Sequence, residues 1–131
     1  MGNNGKYQIS TAMNDAILEM TLTGKAAGGD LVSLLNEMNA LVTTQNANKA
    51  IFDVRGLEQR IEPGEIYRFV RNHPSILYEI KSAIVDLPEN AHYATAMKNA
   101  GLAWEWFTDM NEARDFLNRN QQINKMNLFD K

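Results

Sequence analysis

The sequence predicts a single α/β domain with a mixed, mostly parallel sheet, and three observations favour it. Two segments near the amino terminus, 7–11 and 16–23, are close enough to form an antiparallel hairpin. Residues 50–54 are apolar without alternation, which is typical of a strand covered on both faces in a parallel sheet. After a polar loop at 56–62, helical and strand segments alternate, and the predicted order is β-β-α-β-α-β-α-β-α.

The second strand of this hairpin has the clearest two-residue period. Within residues 16–23, Leu18, Met20 and Leu22 fall on one face and polar side chains fall mostly on the other. A period of two with one polar face indicates a half-buried strand. Asn14-Asp15 marks the turn between the two strands.

The first two helices have recognisable starts and ends. Asp30 follows a glycine-rich break and is placed to cap the first helix, which residues 45–48 end. Pro63 suits the first position of the second helix, because its missing N–H costs nothing there. Pro74 disfavours helical geometry in the residue before it, so this helix should end by His73.

The second half of the chain supplies two more strands and two more helices. Residues 80–87 form a strand, and the helix of small residues that follows should end at Gly101. Residues 103–107 form the last strand, which carries both tryptophans. Asp109, with Glu112 three residues later, resembles a capping box and predicts the start of the last helix.

Composition excludes several classes of function. The chain has 131 residues, no cysteine, and 13 Lys and Arg against 16 Asp and Glu. Without cysteine there is no disulfide, thiol catalysis or Cys-based zinc site, and the net charge of −3 gives no reason to expect nucleic acid as a partner. No apolar run approaches the ~18 residues of a membrane helix, and the amino terminus has no secretory signal pattern. We therefore expect no integral membrane segment and a cytoplasmic location.

Catalytic and metal sites have no signal in the sequence. His73 and His92, the only histidines, lack the partner at helical spacing that a zinc helix needs. No serine has the context of a nucleophile elbow. We therefore expect no catalytic residue, no metal and no cofactor, and the chain is not predicted to be an enzyme.

A family resemblance is carried by residues 22–25, 49–56, 80–85 and 106–113, with 116–117. With the order of elements, these stretches resemble the STAS domain of bacterial anti-sigma-factor antagonists, and more narrowly the SpoIIAA-like group, which is related to Sec14-type lipid-binding domains. The likeness covers residues 7–119. We therefore expect one STAS-type domain over residues 1–119 and a tail over 120–131, which either docks or is disordered.

The resemblance implies a regulatory module that binds a protein partner. In anti-sigma-factor antagonists a phosphorylatable serine lies in the loop after the third strand. This chain has no Ser or Thr between Asp53 and Ile66, so that switch does not carry over. Glu62 and Glu65 place negative charge at the helix start, either as a mimic of the phosphate or as ordinary helix-end electrostatics.

The candidate partner site is a charged stretch at the carboxyl end of the buried strand. Open α/β sheets tend to bind ligands at this edge, and the stretch coincides with the partner-facing region that the resemblance implies. The plainer interpretation is a solvated face with weak ion pairs. The candidate residues are Asp53, Arg55, Arg60, Glu62, Glu65 and Arg68.

The alternative function is a carrier or sensor of a small apolar ligand or lipid. It rests on the Sec14 relationship and on Trp104 and Trp106, which alternation places on one face of the last strand. Two tryptophans on one face either line a pocket between sheet and helix or simply pack in the core. A homodimer through an edge strand or the 120–131 tail is a further expectation.

Overall fold

A computed structural model of the chain describes residues 6–73 and 75–118. Within these residues, one five-stranded sheet and four α-helices occur in the predicted order, which is therefore confirmed. The predicted tail, 120–131, lies outside the described residues. The elements are β1 (Tyr7–Asn14), β2 (Ile17–Lys25), α1 (Leu31–Gln45), β3 (Lys49–Gln59), α2 (Pro63–Asn72), β4 (Lys81–Val85), α3 (His92–Asn99), β5 (Glu105–Phe107) and α4, described over 110–118.

The strands lie in the sheet in chain order. β1 and β2 are antiparallel, and every later neighbouring pair is parallel. Right-handed crossovers between successive neighbours put their connecting helices on the same side of a sheet. Accordingly, α1, α2 and α3 cover one side, which we call the three-helix face, and α4 covers the other, the α4 face.

The central strands are buried on both sides. In β3, Ala50 and Phe52 pack into the three-helix face, while Ile51 packs into the α4 face. In β4, Ile84 points to the three-helix face and Val85 to the α4 face. Two buried faces remove the polar side of the pattern, which explains why these strands show no alternation in the sequence.

The hairpin turn lies one residue later than predicted. Asn14 still pairs with Ile17, so the two loop residues are Asp15 and Ala16. Both have positive φ angles, 54° and 68°, as in a type I′ turn, whose twist matches that of the flanking strands. β1 consequently continues to Asn14 rather than ending at Thr11.

Strand β3 is much longer than predicted. It runs to Gln59 and includes most of the stretch 56–62 that the sequence predicts as a loop. The polar half pairs with β2 beyond a register shift between Thr21 and Thr23. At that point Gly56 lies so close to Thr23 that a Cβ would meet the threonine methyl at 2.9 Å. Backbone pairing holds this half in the sheet, where most side chains are exposed and Leu57 packs against the core.

The predicted helix signals at Pro63, Gly101 and Asp109 are confirmed. Pro63 is the first residue of α2, Gly101 follows α3 with a φ of 102°, and the Asp109 carboxylate accepts a hydrogen bond from the Glu112 N–H at 3.0 Å. Asp30 differs: its carboxylate accepts from the Ala27 N–H at 2.9 Å, across a short 3₁₀ turn before α1. It therefore caps the turn and not the helix.

Tyr7 connects the edge strand β1 to α1, and its ionisation makes the stability of the fold decrease at alkaline pH. Its buried hydroxyl donates to the Glu37 carboxylate at 2.9 Å. Burial, followed by this bond and the charge of Glu37, raises the pKa of Tyr7 from 10.0 to about 12. The folded state favours the neutral phenol, so this contribution is complete below pH 10 and is lost as the pH rises towards 12.

We expect tyrosine-selective NMR to show Tyr7 titrating about two units above its ordinary pKa of 10.0. Glu37→Gln removes the negative charge, so the pKa of Tyr7 should fall. Tyr7→Phe should remove the corresponding part of the pH dependence of unfolding. A wild-type Tyr7 that titrates at its ordinary pKa would contradict the bond to Glu37.

Candidate functional site

A half-enclosed apolar cavity lies on the three-helix face of the sheet. Its volume is about 170 Å³, slightly more than the ~150 Å³ of an engineered protein cavity that binds benzene. The sheet supplies one wall and the three helices supply the others. Among the lining residues are Leu22, Leu34, Met38, Val54, Ile66 and Met97.

Helix α2 covers the cavity without filling it. Ile66, Phe69 and Val70 recur at helical spacing and line the cavity, yet no residue of α2 is fully buried. The side chains around an unfilled apolar space lack the dispersion contacts that they would make in a packed core. A ligand in the cavity would supply those contacts.

A buried ion pair closes one part of the cavity wall. Arg60 donates to both carboxylate oxygens of Asp86, each at 2.8 Å, and also to the Val54 carbonyl at 2.7 Å. The side chain of Arg60 is 15% exposed and that of Asp86 is 2% exposed. Asp86 accepts further hydrogen bonds from the Leu87 N–H and the Asn90 amide. The pair is therefore satisfied and electrically neutral.

An aromatic group forms another part of the wall. Trp104 stacks on Phe52 with ring centroids 4.6 Å apart, and Tyr78 lies against Trp104 at 6.4 Å. Tyr78 and Trp104 line the cavity. The Tyr78 hydroxyl and the Trp104 Nε1 are buried, and neither has a hydrogen-bond partner among residues 6–73 and 75–118. Burial raises the pKa of Tyr78, so its phenol stays protonated at neutral pH.

The two tryptophans proposed for a ligand pocket have different positions. Trp104 lines the cavity and lies just before β5, whereas Trp106 lies within β5. Trp106 packs into the three-helix face, but it is not among the described residues that line the cavity. Its Nε1 is also buried with no partner in the described part of the chain.

Asp53 and Arg55, two of the predicted partner-site residues, form an ion pair on β3. Arg55 donates through Nε at 3.0 Å and through Nη2 at 2.8 Å to the two carboxylate oxygens. Burial alone raises the pKa of Asp53, but the side-chain and backbone hydrogen bonds from Arg55 outweigh it, so this pKa is lowered. The hydrogen bond to Asp53 raises the pKa of Arg55, and the charge of Asp109 adds to this effect.

The other predicted partner-site residues are divided between the cavity and α2. Arg60 lines the cavity, whereas Glu62 is exposed at the start of α2. Glu65 lies against Gly28, where a Cβ would collide with its carboxylate. Glu65 and exposed Arg68 line one shallow groove beside α1. The six residues therefore occupy three places and do not form one surface.

The sequence analysis missed Tyr78, Asp86 and Tyr93, which also line the cavity. Tyr93 is buried and its hydroxyl donates to the Ile61 carbonyl at 2.7 Å. Of the three, only Asp86 could have been recognised from the sequence, because a carboxylate inside the predicted strand 80–87 indicates a buried charge that needs a partner.

Residues 6–73 and 75–118 contain neither a cluster of metal ligands nor a membrane-spanning helix. No cluster of three His, Cys, Asp or Glu suited to a metal ion occurs there. None of the helices described is long and apolar enough to cross a membrane. The cytoplasmic location and the homodimer stay predictions.

The solved structures that are similar to this chain include two with informative names. One is an anti-sigma factor antagonist from Mycobacterium paratuberculosis, with a TM-score of 0.58 and 10% identity, covering 86% of this chain and 95% of that chain. The other is a protein of the DUF3478 family with a SpoIIAA-like fold from Shewanella loihica PV-4, with a TM-score of 0.56 and 18% identity, covering 89% and 98%. The chain has a SpoIIAA-like fold.

At these identities, the likeness establishes the SpoIIAA-like fold and does not extend to function. It confirms the fold that the sequence resemblance implied. No protein-family model matches the sequence, and no curated protein matches it either. In this SpoIIAA-like fold the cavity lies between the sheet and the three helices that connect its parallel strands.

Proposed function

We propose that the chain is a non-catalytic interaction module of the STAS type that binds a protein partner through the outer face of α2. The observation that carries this proposal is the exposure of Tyr67, Arg68 and Arg71 on that helix. Arg71 lies over the Tyr67 ring at 5.9 Å, and arginine and tyrosine are enriched at protein interfaces. The similarity to a structure named as an anti-sigma factor antagonist supports the same class of function.

The proposed surface is narrower than the stretch identified from the sequence. It keeps Glu62, Glu65 and Arg68, which belong to α2 or its start. Arg60 is left out, because its side chain is held inside by Asp86. No Ser or Thr lies between residues 53 and 66, so partner binding at this helix start is proposed to be independent of phosphorylation there.

Charge reversal on α2 tests this surface. A photo-crosslinking residue at position 67 would first identify the partner in cells. We expect Arg68→Glu with Arg71→Glu to weaken binding of that purified partner by at least about tenfold, the equivalent of 1.4 kcal/mol, without changing the circular dichroism spectrum. Lys25→Glu with Lys98→Glu is the matched control, since it reverses two exposed charges elsewhere. Equal affinity of both double variants would exclude the α2 surface.

A second candidate function, binding of a small apolar ligand, is favoured by the cavity. Its walls are almost wholly apolar, and α2 supplies both a wall of the cavity and the proposed partner surface. A ligand that changes the packing of α2 would therefore alter partner affinity, and the partner would alter ligand affinity by the same factor. Saturable binding of a small apolar molecule, followed by NMR at cavity residues, tests this candidate.

A further inference from the structure

We propose that the cavity takes a neutral, largely apolar ligand with one hydrogen-bond acceptor, and that the acceptor binds Tyr78 and Trp104. This inference rests on the second candidate function, because it specifies the chemistry of the ligand in that cavity. Ketones, esters, amides and alcohols of small apolar compounds belong to this class.

The size and lining of the cavity set the body of the ligand. A volume of about 170 Å³ suits a body of roughly six to ten non-hydrogen atoms, since benzene fills a cavity of about 150 Å³. The aliphatic side chains in the walls include Leu22 and Val54 from the sheet and Leu34 and Ile66 from the helices. Such walls offer dispersion contacts and no hydrogen bonds to most of the ligand.

Two unpartnered hydrogen-bond donors determine which polar group the ligand carries. The Trp104 Nε1 and the Tyr78 hydroxyl are buried without a partner in the described ranges, and their rings are neighbours in one wall. An indole N–H can only donate, so whatever satisfies it must be an acceptor. A buried donor left unpaired is destabilising. Both donor atoms are fully buried, so a ligand acceptor relieves that cost when the neighbouring side chains move to admit it.

The ion pair sets the charge of the ligand. Arg60 and Asp86 are the only charged residues among the described lining residues. They bind one another through two hydrogen bonds, and Arg60 also binds the Val54 carbonyl. A ligand carboxylate or ammonium group would therefore be buried without a free counter-charge, which is strongly unfavourable. The ligand is consequently neutral.

Three probes of closely similar size and shape test the inference on the full chain at pH 7. Acetophenone is neutral with an acceptor, cumene is neutral without one, and benzoate is anionic. We expect acetophenone to bind about tenfold more tightly than cumene, as one added hydrogen bond implies, and benzoate to bind least. In proton–nitrogen NMR spectra, the Trp104 indole signal should move downfield with acetophenone but not with cumene.

Two variants remove the donors, and one matched control removes a similar donor outside the cavity. Trp104→Phe and Tyr78→Phe should each reduce the preference for acetophenone over cumene while cumene still binds. Trp106→Phe should leave the preference unchanged, because Trp106 has a buried, unpartnered indole N–H but is not among the described lining residues. The Trp104→Phe spectrum also identifies the Trp104 indole signal.

The possible results separate this inference from the function on which it rests. If acetophenone and cumene bind equally, or benzoate binds best, the inferred chemistry is wrong while ligand binding in the cavity stands. If none of the probes binds, both the inference and the second candidate function are overturned. The same preference in Trp104→Phe and wild type would remove Trp104 from the site.

Discussion

Replacing Asp86 with alanine is expected to lower the free energy of unfolding by about 3–5 kcal/mol. Asp86 is 2% exposed and binds Arg60 through two hydrogen bonds. Without the carboxylate, the guanidinium stays inside the protein with no counter-charge, and its desolvation is no longer offset. Urea unfolding measures the loss through the midpoint and the slope of the transition.

Two further variants show whether burial causes this loss. Asp53→Ala breaks the Asp53–Arg55 pair, but Arg55 is 40% exposed and can turn to water, so we expect a loss of about 1 kcal/mol. Arg60→Met combined with Asp86→Leu removes both buried charges and should be more stable than Asp86→Ala alone. Equal losses for Asp86→Ala and Asp53→Ala would contradict the role assigned to burial.

Replacing Leu117 with alanine is expected to cost about 2–5 kcal/mol of stability. Leu117 is 0% exposed and belongs to the buried cluster on the α4 face, with Ile17 and Ile51 from the sheet. Truncation removes buried methyl groups and leaves a cavity that the surrounding strands can only partly close. Thermal or urea unfolding of the full chain measures the effect.

An exposed position in the same helix provides the control. Asp115 lies two residues before Leu117 and faces solvent. Asp115→Ala should therefore change the free energy of unfolding by no more than about 0.5 kcal/mol. The comparison separates packing of α4 on the sheet from general effects on the helix. A Leu117→Ala variant as stable as Asp115→Ala would mean that α4 does not cover this face of the sheet.

Element order and type were accessible from the sequence because they depend on local patterns. Alternation in β2, capping by Asp109 and the proline at the start of α2 are each set by a few neighbouring residues. The second half of β3 was missed for the opposite reason. Residues 55–59 include one apolar side chain, Leu57, so the sequence shows no strand period there, and pairing with β2 keeps them in the sheet.

The position of Arg60 shows where sequence analysis of the site reaches its limit. In the sequence it belongs to a charged stretch with Arg55 and Arg68 and has the appearance of a surface residue. In the fold its partner is Asp86, 26 residues away and just after β4. Parallel pairing of β3 and β4 brings these segments to the same edge of the sheet, and no local pattern reports that approach.

The sequence by itself determined the α/β class, the order of the elements, the SpoIIAA-like resemblance and the absence of cysteine chemistry. These follow from periodicity, composition and short-range capping, which act within a few residues. Only the tertiary structure decided that Arg60 faces inward, that Trp104 lines a cavity and Trp106 does not, and that Tyr78 and Trp104 carry buried donors without partners among the described residues. Those features arise where distant segments meet, because burial and hydrogen-bond pairing of a side chain depend on its neighbours in space.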